Sequence, residues 1–179
     1  MRLKNNHRLG VTQNNPLLLQ IKDRSYTINF QNPKESILEL KEIIEKEDPD
    51  IILSVFGDQI IFPKLFYYAQ TFRINLNLDR DKTTINQRKI ITKGTSFNTY
   101  GMIIYKAPSY PLFGRWHIDA ANSFVFKEAQ LMGIIEISRI SRLPIQRLAR
   151  SSTGTALTAI ETNVALELGY LVPWQKSKV

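Results

Sequence analysis

The chain has 179 residues, 43% hydrophobic and 22% charged, which fits one globular domain, or one domain with a helical appendage, and excludes collagen-like, disordered and disulfide-scaffold classes. It contains no cysteine, so disulfides and thiolate zinc sites are excluded and a reducing compartment is compatible. The apolar runs are too short to span a bilayer and the N-terminus lacks the apolar core of a signal peptide, so we expect a cytoplasmic protein with no membrane partner.

The formal net charge of +8 favours a polyanionic partner, because Lys and Arg side chains placed on phosphates release condensed counterions. A solubilising surface charge is the alternative, and charge alone does not separate the two. The acids concentrate in residues 35–50, whereas residues 59–117 carry nine Lys or Arg and only two Asp. A nucleic-acid path would need an uneven charge distribution of this kind.

The first part of the chain predicts a hairpin followed by a helix. Two short apolar runs, Leu17 to Lys22 and Tyr26 to Phe30, flank a polar turn at residues 23–25. Asn32 followed by Pro33 is a helix-start signal, and the pattern predicts a helix to about Glu47.

The next segments predict a strand and helix order typical of an α/β layer. The run Ile51 to Val55 is typical of a strand buried on both faces, and Phe62 to Phe72 is a helix candidate. Residues 75–99 are polar and basic with weak periodicity, which predicts a long loop with at most a short hairpin. Met102 to Tyr105 and Trp116 to Asp119 predict further strands.

The pattern changes to helical from Asn122 onward. Apolar positions recur at helical spacing as far as Arg142, and Pro144 stands where a new helix begins. Ser151 to Thr153 are capping residues for a last helix that ends at Gly169. Leu157, Ile160, Val164 and Leu168 form its apolar face.

The order of these elements, together with several short motifs, resembles family B DNA polymerases. The motifs are Asp48-Pro-Asp-Ile-Ile-Leu-Ser-Val-Phe-Gly-Asp58, Gly114-Arg-Trp-His-Ile-Asp119, Ala149-Arg-Ser-Ser-Thr-Gly-Thr155 and Leu171-Val-Pro-Trp-Gln-Lys176. The likeness covers nearly the whole chain, and it is nearest to a prokaryotic branch with degenerate exonuclease motifs. It implies an α/β, ribonuclease-H-like exonuclease fold, a mixed sheet flanked by helices, over residues 1–121. A helical segment at residues 122–179 would lead into the polymerase palm.

In that family, proofreading uses two metal ions held by carboxylates from three motifs, because paired hard cations need several oxygen ligands. No Asp or Glu precedes Asp23, so the first motif has no counterpart. The second motif's acid would fall near Ile61, and no Asp follows Asp119 to supply the third. Asp58 and Asp119 are the remnant candidates, and the resemblance implies a structural role for Asp119 at a strand end, with metal binding as the alternative. With His7 and His117 also too few for a metal cluster, we expect no metal or cofactor in this segment, and Mg²⁺ only for the parent polymerase.

The basic residues supply the candidate nucleic-acid contacts. Arginines on the C-terminal helices could form a stripe along a DNA backbone, although a solvated basic face would have the same pattern. The candidates are Arg88, Lys89, Lys93, Arg115, Arg139, Arg142, Arg147, Arg150, Ser151 and Ser152.

The resemblance therefore favours a fragment of a family B DNA polymerase whose exonuclease-like domain is inactive and has a structural and DNA-positioning role. Its expected partners are DNA, as template-primer or single strand, and the remainder of the polymerase chain. One alternative is an active metal-dependent 3′–5′ nuclease whose acids are Asp58, Asp79, Asp81 and Asp119. Another is a non-enzymatic nucleic-acid-binding or interaction module.

Overall fold

The computed structural model describes residues 2–3, 16–81, 94–99 and 101–172. The chain divides into two compact units, Met1–Asn122 and Ser123–Val179. The assignment of these units to an exonuclease-like domain and a palm-leading segment stays a prediction.

A three-stranded antiparallel sheet contains β1 (Arg2–Leu3), β2 (Leu17–Ile21) and β3 (Arg24–Ile28), in that spatial order. Ile21 lies opposite Arg24, so the connecting turn has two residues, Lys22 and Asp23. The predicted hairpin is present, but its turn begins one residue earlier than expected. Lys22 adopts a φ of 53°, and left-handed backbone in a two-residue turn matches the twist of the two strands.

Helix α1 (Pro33–Glu47) begins and ends as the sequence predicts, with Pro33 in the first turn. The Asn32 side chain makes no capping bond; instead the Ser36 hydroxyl donates to the carbonyls of Asn29 and Asn32, at 2.8 Å each. Ile37, Leu40, Ile43 and Ile44 form its buried apolar face.

Strand β4 (Ile51–Ser54) leads through a left-handed Phe56, φ 64°, into a π-helical turn, Gly57–Ile61. Helix α2 (Phe62–Thr71) continues directly from that turn. The prediction that β4 is buried on both faces is wrong, because Leu53 is 36% exposed while Ile52 is buried.

A hairpin of β5 (Thr95–Thr99) and β6 (Met102–Lys106) follows, and β7 (Trp116–Asp119) returns to pair in parallel with β4. Residues 82–93 of the predicted basic loop lie outside the described residues. Leu76 and Leu78 near its start are buried in the core, so this end of the loop is anchored.

The core of the first unit is a cluster of buried apolar side chains from α1, α2 and the strands. Its most buried members are Leu17, Ile28, Ile37, Leu40, Phe62 and Leu65. The predicted α/β class is confirmed, and the described residues form antiparallel and parallel ladders in three small sheets.

The second unit contains α3 (Phe126–Ser141), α4 (Ile145–Ala149) and α5 (Thr153–Glu167). Helix α3 is interrupted at Gln130, where φ is 53° and ψ is −171°. The unit buries few apolar side chains, and the predicted apolar face of α5 is largely exposed, with Leu157 60% and Leu168 68% accessible. None of the helices in the described part of the chain combines the length and apolar character needed to cross a membrane.

Candidate functional site

The two remnant acids lie at the same edge of the parallel strand pair. The register of β4 and β7 places Ser54 opposite Asp119, and Asp58 enters the π-helical turn that directly follows β4. Because the carboxyl ends of parallel strands meet at one edge of a sheet, the sequence brings both carboxylates to one place.

Asp119 is 1% exposed and its carboxylate is committed to backbone N–H groups. Oδ1 accepts from Phe56 N at 2.9 Å and from Ala121 N at 3.1 Å, and Oδ2 accepts from Asp58 N at 2.8 Å. Burial raises the pKa of Asp119 above its ordinary value, and the hydrogen bonds from backbone N–H groups act in the opposite direction. The side chain thus holds the left-handed turn after β4 in place.

Asp58 is fully buried and is bonded to segments that come later in the chain. Oδ1 accepts from Tyr110 N at 2.8 Å, and Oδ2 accepts from Asn122 Nδ2 at 2.8 Å. The Asn122 amide also donates to the Pro108 carbonyl at 3.0 Å. Asp58 therefore links the turn after β4 to the loop that precedes β7.

His117 completes the cluster and is itself fully buried. Its Nδ1 lies 2.8 Å from the Tyr110 carbonyl and 3.6 Å from Asp58 Oδ1, while Nε2 lies 2.8 Å from Ser54 Oγ. Since a carbonyl only accepts, Nδ1 carries the hydrogen, and in the neutral ring Nε2 accepts from the Ser54 hydroxyl. The ring also stacks on Phe62, with centroids 4.2 Å apart.

Sequence reasoning missed Ser54, His117 and Asn122 as members of one polar cluster. Ser54 ends an apolar strand and His117 interrupts another, which is the pattern of paired buried polar groups. A serine bonded to a histidine beside an aspartate has the composition of a nucleophilic triad. Ser54 is only 2% exposed, however, so the arrangement offers a substrate no access and is structural in this conformation.

The cluster does not fit a pair of divalent cations. A two-metal centre needs several carboxylate oxygens that face a common point, whereas the oxygens of Asp58 and Asp119 already accept N–H donors. Within residues 16–81, 94–99 and 101–172, no three His, Asp or Glu side chains are grouped to hold a metal ion. Asp79, an acid of the alternative nuclease hypothesis, accepts from Phe113 N at 2.9 Å and is 7% exposed.

Arg115 lies in a second polar cluster and is 7% exposed. Its Nη2 donates to Asp48 Oδ1 at 2.9 Å, and Arg80 joins the same group through Asp48 at 3.0 Å and Asp50 at 2.8 Å. Burial lowers the pKa of Arg115, and the nearby carboxylate of Asp48 opposes that shift. This predicted nucleic-acid-binding side chain is therefore inside the first unit, where it braces the entry to β7.

The candidate arginines of the second unit differ in their surroundings. The side chains of Arg139 and Arg142 are 70% and 64% exposed, and they form ion pairs with Glu136 and Glu167 respectively. Arg150 is 5% exposed and donates to the Gln146 carbonyl at 3.1 Å. These three side chains consequently do not present a continuous unpaired basic stripe.

Arg147 is exposed and forms no ion pair with any described residue. Ser151 Oγ donates to the Arg147 carbonyl at 2.7 Å, and Ser152 is exposed with Oγ 3.1 Å from Thr155 Oγ1. Arg88, Lys89 and Lys93 lie outside the described residues, so their predicted contacts with nucleic acid stay predictions.

Comparison with known proteins gives a likeness in structure alone. No family model matches the chain, and no curated protein matches its sequence. Among solved structures, the chain is similar to the family B DNA polymerase from the hyperthermophilic archaeon Pyrobaculum calidifontis, with a TM-score of 0.57 and 13% sequence identity. The match covers 87% of this chain and 26% of that chain, so this chain spans about a quarter of the polymerase's length. At this identity the likeness is one of fold, and the fold it shares is that of part of a family B DNA polymerase.

Proposed function

We propose that this chain is a degenerate, ribonuclease-H-like exonuclease domain of a family B DNA polymerase, followed by helices that lead into the palm. Its role is to position DNA and support the rest of the polymerase in replication or repair, without cleaving DNA. The proposal is supported by the motif order in the sequence and by the fold shared with the Pyrobaculum calidifontis enzyme. The proposed partners are DNA and the remaining polymerase chain, and the proposed compartment is the cytoplasm. Mg²⁺ would be used by the parent polymerase.

The burial and hydrogen bonding of two acids support a non-catalytic role. Asp58 and Asp119 stand at the edge where metal ligands would be expected, yet each is at most 1% exposed and bonded to N–H donors. Mg²⁺ usually keeps several of its waters and so needs an accessible site, whereas both of these carboxylates are buried and directed to backbone or amide N–H groups. The same acids that would cleave DNA therefore hold the fold together.

A nuclease assay tests this conclusion on the full chain. A primer–template with a labelled 3′ end, incubated with Mg²⁺ or Mn²⁺, should lose no more label than it loses with EDTA. Metal-dependent 3′ to 5′ degradation that disappears in Asp58→Asn would contradict the proposal, because it would make Asp58 a catalytic ligand. Circular dichroism of Asp58→Asn shows whether such a loss reflects unfolding.

The DNA-positioning part is tested by binding at several salt concentrations. Arg147→Gln should weaken binding to a primer–template duplex and lower the slope of log K against log salt by about one, because one phosphate contact is lost. The matched control is Arg24→Gln, an exposed arginine of the first unit that pairs with Glu47. Equal effects of the two variants, or absence of salt-dependent binding, would remove DNA positioning and leave a structural module.

A further inference from the structure

Helix α2 presents two opposite faces. Phe62 is buried on one face and stacks on His117, with ring centroids 4.2 Å apart. Successive residues of a helix are rotated by about 100°, so Lys64 and Tyr67 lie on the other side of α2 from Phe62. Tyr67 is 65% exposed. This outer face of α2 is therefore separate from the polar cluster around Asp58.

A row of aromatic rings leads from the core to the outer face. Phe30 stacks on Tyr68 with centroids 5.9 Å apart and 21° between the ring planes, and Tyr68 stacks on Phe72 at 6.4 Å and 28°. Tyr67 lies beside the row, with its ring centroid 5.7 Å from that of Tyr68. Phe30 is 6% exposed, whereas Phe72 is 36% exposed. Because the inner end of the row is held in the core, the outer rings are preorganised for a partner, which lowers the entropic cost of binding.

Two cations flank the outer rings, which we call the aromatic platform (Tyr67, Tyr68 and Phe72). Lys64 Nζ lies 5.7 Å from the centroid of the Tyr68 ring. Arg73 directly follows Phe72 and is exposed. Residues 59–78 contain these two cations and neither Asp nor Glu, so this segment carries only positive formal charge.

Exposed rings between cations match the chemistry of a single-stranded nucleic acid. Every base has a π-face that stacks on an aromatic ring, and the adjoining phosphates pair with Lys and Arg. In a duplex the faces of each base are covered by neighbouring bases, so the platform favours an unpaired strand. Protein interfaces are also enriched in Tyr and Phe, but they are depleted of Lys. The position of Lys64 against the platform therefore favours nucleic acid over an apolar protein segment.

We propose that Tyr67 and Phe72 stack bases of a single-stranded nucleic acid, while Lys64 and Arg73 contact its phosphates. At about 1.5 Å per residue, Lys64 and Phe72 are about 12 Å apart along the helix axis, a span of about three nucleotides. The site rests on the proposed DNA-positioning role, and it adds which form of the strand is bound and by which surface.

Fluorescence anisotropy of the full chain with a labelled oligothymidylate of about 12 nucleotides tests the platform. Tyr67→Leu and Phe72→Leu should each weaken binding at least about fivefold, because leucine is apolar but has no π-face. Phe72→Trp should keep wild-type affinity. The matched control is Tyr170→Leu in the second unit, because Tyr170 is also 65% exposed and its loss should leave binding unchanged. Circular dichroism and thermal melting show that each variant is folded.

Two changes separate stacking from phosphate contact. A strand of the same length with abasic sites at its centre keeps the phosphates, and it should bind wild type at least about fivefold more weakly. Tyr67→Leu should lose most of this preference for bases. Lys64→Gln and Arg73→Gln should each lower the slope of log K against log salt by about 0.7, because one phosphate contact to a single strand is lost.

Crosslinking locates the bound strand on the protein. When a strand containing iodouracil is irradiated in complex with wild type, the crosslink should map to residues 65–73, which trypsin releases as one peptide. Crosslinks confined to other peptides, equal affinity for the abasic strand, or full binding by both leucine variants would overturn the proposal. Wild type that binds no single strand but self-associates through Tyr67 would instead make the platform a protein interface.

The duplex experiment distinguishes failure of this site from failure of the proposed function. If both leucine variants bind the single strand as wild type does, while Arg147→Gln still weakens binding to the primer–template duplex, DNA positioning stands and only the platform is removed. If the leucine variants lose single-strand binding while Arg147→Gln leaves duplex binding unchanged, the platform stands and the role of Arg147 is removed.

Discussion

Asp119 shows how a residue expected at a catalytic edge serves the fold instead. Its carboxylate accepts N–H bonds from Phe56, Asp58 and Ala121. In Asp119→Asn one oxygen becomes an NH₂ group, which cannot accept and which faces a buried donor. We expect a loss of about 1–3 kcal/mol in the free energy of unfolding, measured by urea denaturation. Asp50→Asn is the control, since the Asp50 side chain is 85% exposed in its ion pair and should cost at most about 1 kcal/mol.

The same residue predicts a pH dependence of stability. Burial raises the folded-state pKa of Asp119 above its ordinary value of 3.8, so the folded protein binds this proton more tightly than the unfolded chain does. The stabilisation is fully present below the unfolded pKa and is lost as pH rises through the folded pKa. The gap in unfolding free energy between wild type and Asp119→Asn should therefore be widest at the acidic end of the range in which both fold. A gap that widens with pH would contradict the stated direction.

At the scale of elements, the turn between β4 and α2 depends on the absence of a side chain at Gly57. A Cβ at this position would lie 2.0 Å from Ser54 Oγ and 2.8 Å from His117 Nε2, both buried and hydrogen-bonded to each other. Gly57→Ala should therefore lower the free energy of unfolding by about 1–3 kcal/mol, because the Ser54 and His117 pair must move.

The control for this prediction is Gly154→Ala in the first turn of α5. The nearest atom to its added Cβ would be Ser152 Oγ at 3.9 Å, an ordinary contact. Alanine also favours helix, so stability should be unchanged or raised. If both variants lose stability equally in thermal denaturation, close packing at Gly57 is not what holds this turn.

At the scale of the molecule, periodicity predicted the elements better than it predicted their burial. The start of α1 follows from Pro33 in its first turn, and β7 follows from an apolar run, which are local signals. The buried bonding of Asp58 to Tyr110 and Asn122 joins residues more than fifty positions apart, and no local pattern encodes such a contact. For the same reason the sequence grouped Arg115 with exposed cations, although packing buries it beside Asp48.

The two units also predict different local stability. The first unit has a cluster of buried side chains from strands and two helices, whereas α5 buries only Ala156 among its described residues. Hydrogen exchange depends on the free energy of local opening, which rises with buried apolar contact. In exchange measured by mass spectrometry, peptides from α5 should therefore exchange at least about tenfold faster than peptides from α1, a helix with the same count of 15 residues. Equal protection would mean that the exposed apolar face of α5 is covered in solution, for example by a second copy, and dilution of the protein would then restore fast exchange in α5 alone.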